Sequence, residues 1–274
     1  PELIACVKAA KSLMHKHDAL LENSQPVGRD IAVFCKQSIT VDHVTAGYNG
    51  TDSVLKNITY KFQTNGCYAI IGESGSGKTT LLNLLTGFHR QYTGAIRYDN
   101  TSIKDISNES LCQLISVIHQ DVFIFDATIA ENVSMFRPYS EADLLDAAHK
   151  AGLSSLIEQK GWNYRCGENG NMLSGGEKQR IGIARSILQG ADVLFFDEVT
   201  SALDAKTGHQ IMDTIQKMSQ KTRIVITHDL YPDLMNEFDA ILVLKDGQIA
   251  EVGTFRELIA KQGVCYNFVT NGVL

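Results

Sequence analysis

Nine residues constrain this chain more than any others: Gly72, Glu73, Ser74, Gly75, Ser76, Gly77, Lys78, Thr79 and Thr80. They fit G-x-x-x-x-G-K-[ST], a loop whose backbone wraps the phosphates of a nucleotide. An apolar run at residues 67–71 leads into the loop, and residues 79–85 start a helix behind it. Strand, glycine loop and helix in that order are the context that makes the motif a site, and they point to an α/β fold. Gly72, Gly75 and Gly77 let the backbone turn so that successive N–H groups can face an anion with no Cβ in the way. The helix then sets its positive end against the same anion. Lys78 supplies a point charge to the outer phosphates and Thr79 a hydroxyl for magnesium, while Ser74, Ser76 and Thr80 complete the cradle. A dinucleotide reading fails, because the spacing Gly75, Gly77, Thr80 lacks its third glycine.

Bulk properties narrow the class. The 274 residues are 44% hydrophobic and 20% charged, a globular composition. No stretch approaches the roughly 18 apolar residues that cross a bilayer, and no leader resembles a signal peptide. The net charge of −6 argues against a nucleic-acid partner. Six scattered cysteines without a C-x-x-C pair read as reduced thiols in a cytosolic compartment. Residues 2–22 carry apolar positions at helical spacing and end at a break around Pro26 and Gly28. Short strands are expected at 31–34, 39–44, 58–62, 67–71, 94–98, 193–196, 223–227 and 240–244. Residues 121–190 read as mostly helical, most clearly at 141–151 and 177–188. Alternating strands and helices imply a mainly parallel sheet.

A second constellation follows. Asp197 and Glu198 end the apolar strand at 193–196, where carboxylates would stand beside the phosphate loop. Asp197 is placed to hold magnesium through water, and Glu198 to act as general base on the attacking water. Upstream lie Leu173, Ser174, Gly175, Gly176 and Glu177, with Ser174, Gly175 and Gly176 opening a helix and so a second anion-binding end.

With both motifs in this order, residues 38–270 resemble the nucleotide-binding domain of an ATP-binding cassette (ABC) transporter. The resemblance implies a P-loop NTPase core with a mainly parallel sheet, an antiparallel β-subdomain and a helical signature subdomain at about 121–190. It implies ATP and Mg2+ as ligands and hydrolysis of ATP. Ser174, Gly175 and Gly176 match the signature that binds the γ-phosphate held by the opposite subunit. The expected partner is therefore a second copy or a homologous cassette, in a head-to-tail dimer sandwiching two ATP molecules. Tyr48 resembles the aromatic that stacks on adenine. Gln120 resembles the glutamine that touches magnesium and senses the membrane domain. Asp204, after Ser201, Ala202 and Leu203, resembles the acidic member of the loop joining the two sites. His228 resembles the switch histidine on the γ-phosphate, so Lys78, Gln120, Glu198 and His228 form the expected catalytic set.

The stretch from Phe123 to Val133, with Ile129, Glu131 and Asn132, resembles the exporter pattern after the glutamine. Glu168 resembles the working residue of an exporter loop that contacts membrane domains. On this reading residues 1–30 are the end of a preceding transmembrane domain and 31–274 the ATPase, on the cytoplasmic face of the membrane. Two residues depart from common exporter usage: Glu177 where many carry Gln, and Asp229 where Arg is frequent. Both occur in importer cassettes, so a separate importer subunit, or a soluble ABC ATPase, is the alternative.

Overall fold

The structure is a computed structural model that describes residue 29 and residues 34–47, 53–228 and 231–271. The expected leader helix at 2–22 and Tyr48 lie outside these residues. Arg29, within the expected leader, pairs with Ile106 on the body of the domain. Of the strand expected at 31–34, only Phe34 is described, and it lies outside any strand.

Two sheets organise the chain. The smaller one is antiparallel, in the order β2 (Leu55–Gln63), β1 (Ser38–Ala46), β4 (Thr93–Tyr98), β5 (Thr101–Ser102). The larger one is six-stranded, in the order β10 (Gln248–Gly253), β9 (Ala240–Lys245), β3 (Cys67–Ile71), β8 (Thr222–Ile226), β7 (Val193–Asp197), β6 (Ile115–His119). Its pairs are parallel except β10 with β9, which form a hairpin. The parallel strands are short apolar runs because both faces are covered. On β3, Cys67, Ala69 and Ile71 enter one core while Tyr68 and Ile70 enter the other. On β7, Leu194 and Phe196 alternate with Val193 and Phe195 in the same way.

The core on one face joins the antiparallel sheet, through Ile39, Phe62 and Tyr98, to the leucines of α1 (Lys78–Leu85). The Tyr98 hydroxyl donates to the Leu85 carbonyl at 2.6 Å, so its polar end is satisfied inside that core. The other core takes in the helical region: α3 (Ile129–Ser134), α4 (Glu141–Lys150), α5 (Ser154–Lys160) and α6 (Gly175–Gln189). It also holds the buried faces of α7 (Ala205–Gln216), α8 (Pro232–Met235), α9 (Phe255–Lys261) and α10 (Val264–Asn271). The short α2 (Asn108–Leu114) precedes β6. The mainly parallel sheet, the antiparallel β-subdomain and the helical region match the expected fold class. Beyond the sequence expectations lie the strands β5, β6 and β10 and the helices α2, α7, α8, α9 and α10. Among the described residues, no helix is long and apolar enough to cross a membrane.

Candidate active site

The register of the large sheet brings the expected residues together. Ile70, Ile226, Asp197 and His119 stand side by side across β3, β8, β7 and β6. The four strands are parallel, so the chain leaves all of them at one edge. Gly72, His228, Glu198 and Gln120 emerge there within two residues of the strand ends. This is the carboxyl edge, where open α/β sheets bind ligands.

The glycine loop is built for close approach. Gly77 has φ +104°, and a Cβ there would lie 2.6 Å from the Leu55 side chain. Lys78 begins α1, is buried, and donates from Nζ to the carbonyls of Gly72 at 2.7 Å and Glu73 at 3.0 Å. Burial lowers its pKa, and the nearby carboxylates of Glu198 and Asp197 act in the opposite direction. The Ser76 hydroxyl is buried without a hydrogen-bond partner among the described residues. Leaving such a group unpaired costs about 1–3 kcal/mol. Thr79 is exposed on the same turn, and Thr80 is buried.

Glu198 has φ +52°, a left-handed backbone that a residue with a Cβ adopts at a cost of about 1–2 kcal/mol. Two neighbours hold it there. Its N–H donates to the Ile226 carbonyl at 3.0 Å, and its carbonyl accepts from the Ser201 hydroxyl at 2.8 Å. The carboxylate then lies with Oε1 2.6 Å from His228 Nε2. His228 Nδ1 is buried and has no partner among the described residues. Asp197 is half-buried, with Oδ2 3.6 Å from His119 Nδ1, and that hydrogen-bonding carboxylate raises the His119 pKa. Gln120 is exposed, and its carbonyl and that of His119 both accept from the Gln179 amide on α6.

A family model described as ABC transporter matches residues 55–201, more than half of the chain. This chain belongs to the ABC transporter family. The mitochondrial iron-sulfur clusters transporter atm1 of Aspergillus fumigatus is 39% identical over 232 residues, covering 82% of this chain and 32% of that protein. The beta-(1-->2)glucan export ATP-binding/permease protein NdvA of Agrobacterium vitis is 36% identical over 250 residues, covering 90% and 42%. A solved bacterial Atm1-family ABC exporter with ATP bound superposes with a TM-score of 0.83 at 30% identity, covering 97% of this chain and 48% of that one. The chain thus spans a third to a half of the length of these relatives, and its kinship is with the exporters of the ABC family.

The ABC signature lies at the tip of α6. Ser174 is the helix N-cap: its hydroxyl accepts from the Glu177 N–H at 3.3 Å, and Glu177 Oε2 accepts from the Ser174 N–H at 2.6 Å. Either Glu or Gln closes such a reciprocal cap, so the departure at Glu177 has a local explanation that does not involve transport direction. Gly176 is buried, whereas Ser174 and Gly175 are exposed, on a helix that packs on α3, α4, α7 and β6. Lys178 Nζ donates to the Asn169 carbonyl at 2.9 Å, which ties the turn carrying Glu168 to this helix. Asp204 caps α7, accepting from the Thr207 N–H at 3.0 Å, and the hydrogen bonds from Thr207 lower its pKa.

The structure therefore gathers Lys78, Gln120, Asp197, Glu198 and His228 at one strand edge. Ser174 and Gly175 stand at the N-terminal tip of α6. The sequence reading missed Gln179 and Ser201 as supports. Ser201 lies inside a stretch named above and Gln179 two residues beyond one, yet their bonds to backbone carbonyls leave no mark on the pattern.

Proposed function

We propose that this chain is the ATP-hydrolysing motor domain of an ABC exporter, and that it binds Mg2+ with the nucleotide. The observation that carries the reading is Glu198, held in a left-handed backbone 2.6 Å from His228 beside the phosphate loop. A carboxylate in that position can take the proton of an attacking water. His228 orients it and reaches toward the outermost phosphate. Lys78 meets the phosphate charge in a buried setting where such contacts count for more than in water. Gly72, Ser74, Gly75, Ser76, Gly77 and Thr80 cradle the phosphates, and the unpartnered Ser76 hydroxyl fits an incoming oxygen.

A magnesium ion bound with the nucleotide neutralises phosphate charge. Thr79, Gln120 and Asp197 offer the hydroxyl, amide and carboxylate oxygens that this hard cation takes. Tyr48 is assigned to the adenine face. Ser174, Gly175 and Gly176, at a helix N-terminus where the first two are exposed, serve the nucleotide of a second cassette, with Asp204 at the junction of the two sites. The chain thus works as a head-to-tail dimer, with itself or a homologous cassette.

The name of the NdvA relative joins ATP-binding and permease parts, and this chain covers 42% of that protein. That supports residues 1–30 as the end of a preceding membrane domain, 31–274 as the ATPase, and a place on the cytoplasmic face. A groove of about 750 Å3 beside α6, lined by Phe123, Met135 and Tyr139, suits a membrane-domain contact. Phe123 and Met135 are exposed there, as is Phe136 next to Met135.

Glu198→Gln tests the assignment. The variant is expected to lose about 10²–10⁴-fold in phosphate release while keeping ATP binding and gaining an ATP-dependent dimer on gel filtration. Unchanged turnover removes Glu198 from the reaction.

A further inference from the structure

The segment after β7 and the segment after β8 meet twice. They meet first at the site, through Glu198 and His228. They meet again where α7 passes α8. There His209 Nε2 on α7 lies 2.6 Å from Asp233 Oδ2 on α8, and its ring meets the Tyr231 ring edge-on with centroids 5.5 Å apart. Gly208 allows that approach, since a Cβ there would lie 2.3 Å from the Tyr231 hydroxyl oxygen. α7 opens on Asp204, while Tyr231 and Asp233 follow His228 by three and five residues.

The packing of these helices does not need the His209 contact. Ile211, Met212 and Ile215 of α7 share a core with Leu234, Met235 and Phe238. Gln216 Nε2 also donates to the Leu234 carbonyl at 2.8 Å. The His209 and Asp233 side chains are 40% and 66% exposed, a setting where an ion pair adds little to stability. Location distinguishes the pair: it ties the first turns of α7, next to Asp204, to the residues that follow His228.

We propose that His209 and Asp233 are positioning residues for turnover, forming a clasp that sets the reach of His228 relative to the Asp204 helix. The proposal rests on the reading of the chain as an ATPase. The hydrogen bond from His209 holds the Asp233 carboxyl below the usual carboxylate range, so Asp233 keeps its charge until pH falls through that lowered value. Other groups stand near His209 among the described residues. Lys206 and Asp213 lie one turn before and after it on α7, and Asp213 is paired with Lys217 at 2.6 Å. The Tyr231 phenol faces it from the α8 side, and α6 reaches this stretch through Arg180, bonded to Gln210 at 3.1 Å.

The test is steady-state ATP hydrolysis by the chain and by His209→Ala, Asp233→Ala, the double variant and His209→Lys. Each alanine variant is expected to lower kcat about three- to tenfold with KM for ATP unchanged, and the double variant no further than either single one. His209→Lys, which keeps a donor for Asp233, is expected to keep kcat. Unchanged kcat in the single variants, or losses that multiply in the double variant, overturn the clasp. So does a His209→Lys variant that loses as much as His209→Ala. Amide exchange over residues 231–236 reads the clasp without turnover: faster exchange in His209→Ala supports it, and equal exchange overturns it. A wild-type chain that hydrolyses no ATP overturns the ATPase reading instead.

Discussion

Ser76 shows how a single residue can be tuned for a ligand at the expense of the free protein. The residue is 5% exposed, and its hydroxyl lacks a partner among the described residues. Ser76→Ala is therefore expected to leave the melting temperature equal or higher and to weaken ATP binding several-fold, read by calorimetry and titration on the same sample. Lys78→Ala is expected to act in a different sense, removing most nucleotide affinity, because no other cation replaces its charge inside the loop. The identities of Lys78, Asp197, Glu198 and His228 were legible in the sequence, because the motif fixes residue type and spacing. The conformation of Glu198 was not legible. A left-handed φ at a glutamate runs against local preference, and it is held by Ile226 on β8 together with Ser201 three residues on. Tyr48 belongs to the same expected site and lies outside the described residues.

Among the elements, α6 carries the most consequence. Its first turn is closed by Ser174 and Glu177 in both directions, and its middle sends Gln179 to the carbonyl of Gln120. The helix bearing the signature is thus bonded directly to the loop bearing the expected magnesium ligand. Ser174→Ala is expected to cost about 1 kcal/mol in unfolding free energy through loss of the cap, in addition to any effect on turnover. Glu177→Gln is expected to cost less than half of that, since the amide still closes the cap; chemical denaturation of both variants checks the comparison. The helices that sequence reading found, at 141–151 and 177–188, are long and periodic. The strand β6 is five residues that follow a helix directly, and only Ile115 and Ile118 of it are fully buried. A pattern that short has no period to read, and its position becomes clear only from pairing with β7. α7 buries Gly208, Ile211, Met212 and Ile215, an apolar stripe that begins only after a polar first turn.

Over the whole molecule, one mainly parallel sheet divides two cores, and the buried thiols report on both. Cys35 and Cys67 are pushed up to about 12 by burial and Cys265 to about 11, while Cys166 is fully buried. Cys112 is exposed. Maleimide labelling at about pH 7.5 is expected to modify Cys112 and spare those four until the chain unfolds, as mass spectrometry of digests would show. Fold class was legible at this scale because alternating strand and helix patterns leave few ways to arrange a sheet. The division of labour between the strand edge and the α6 tip follows from the positions of two motifs that one chain carries on different elements. Under the proposed function, hydrolysis is a property of two chains. Phosphate release per milligram, measured against protein concentration at saturating ATP, is expected to rise as the chains pair and then level off. Specific activity that stays constant down to concentrations where sedimentation shows only monomer would contradict the shared site.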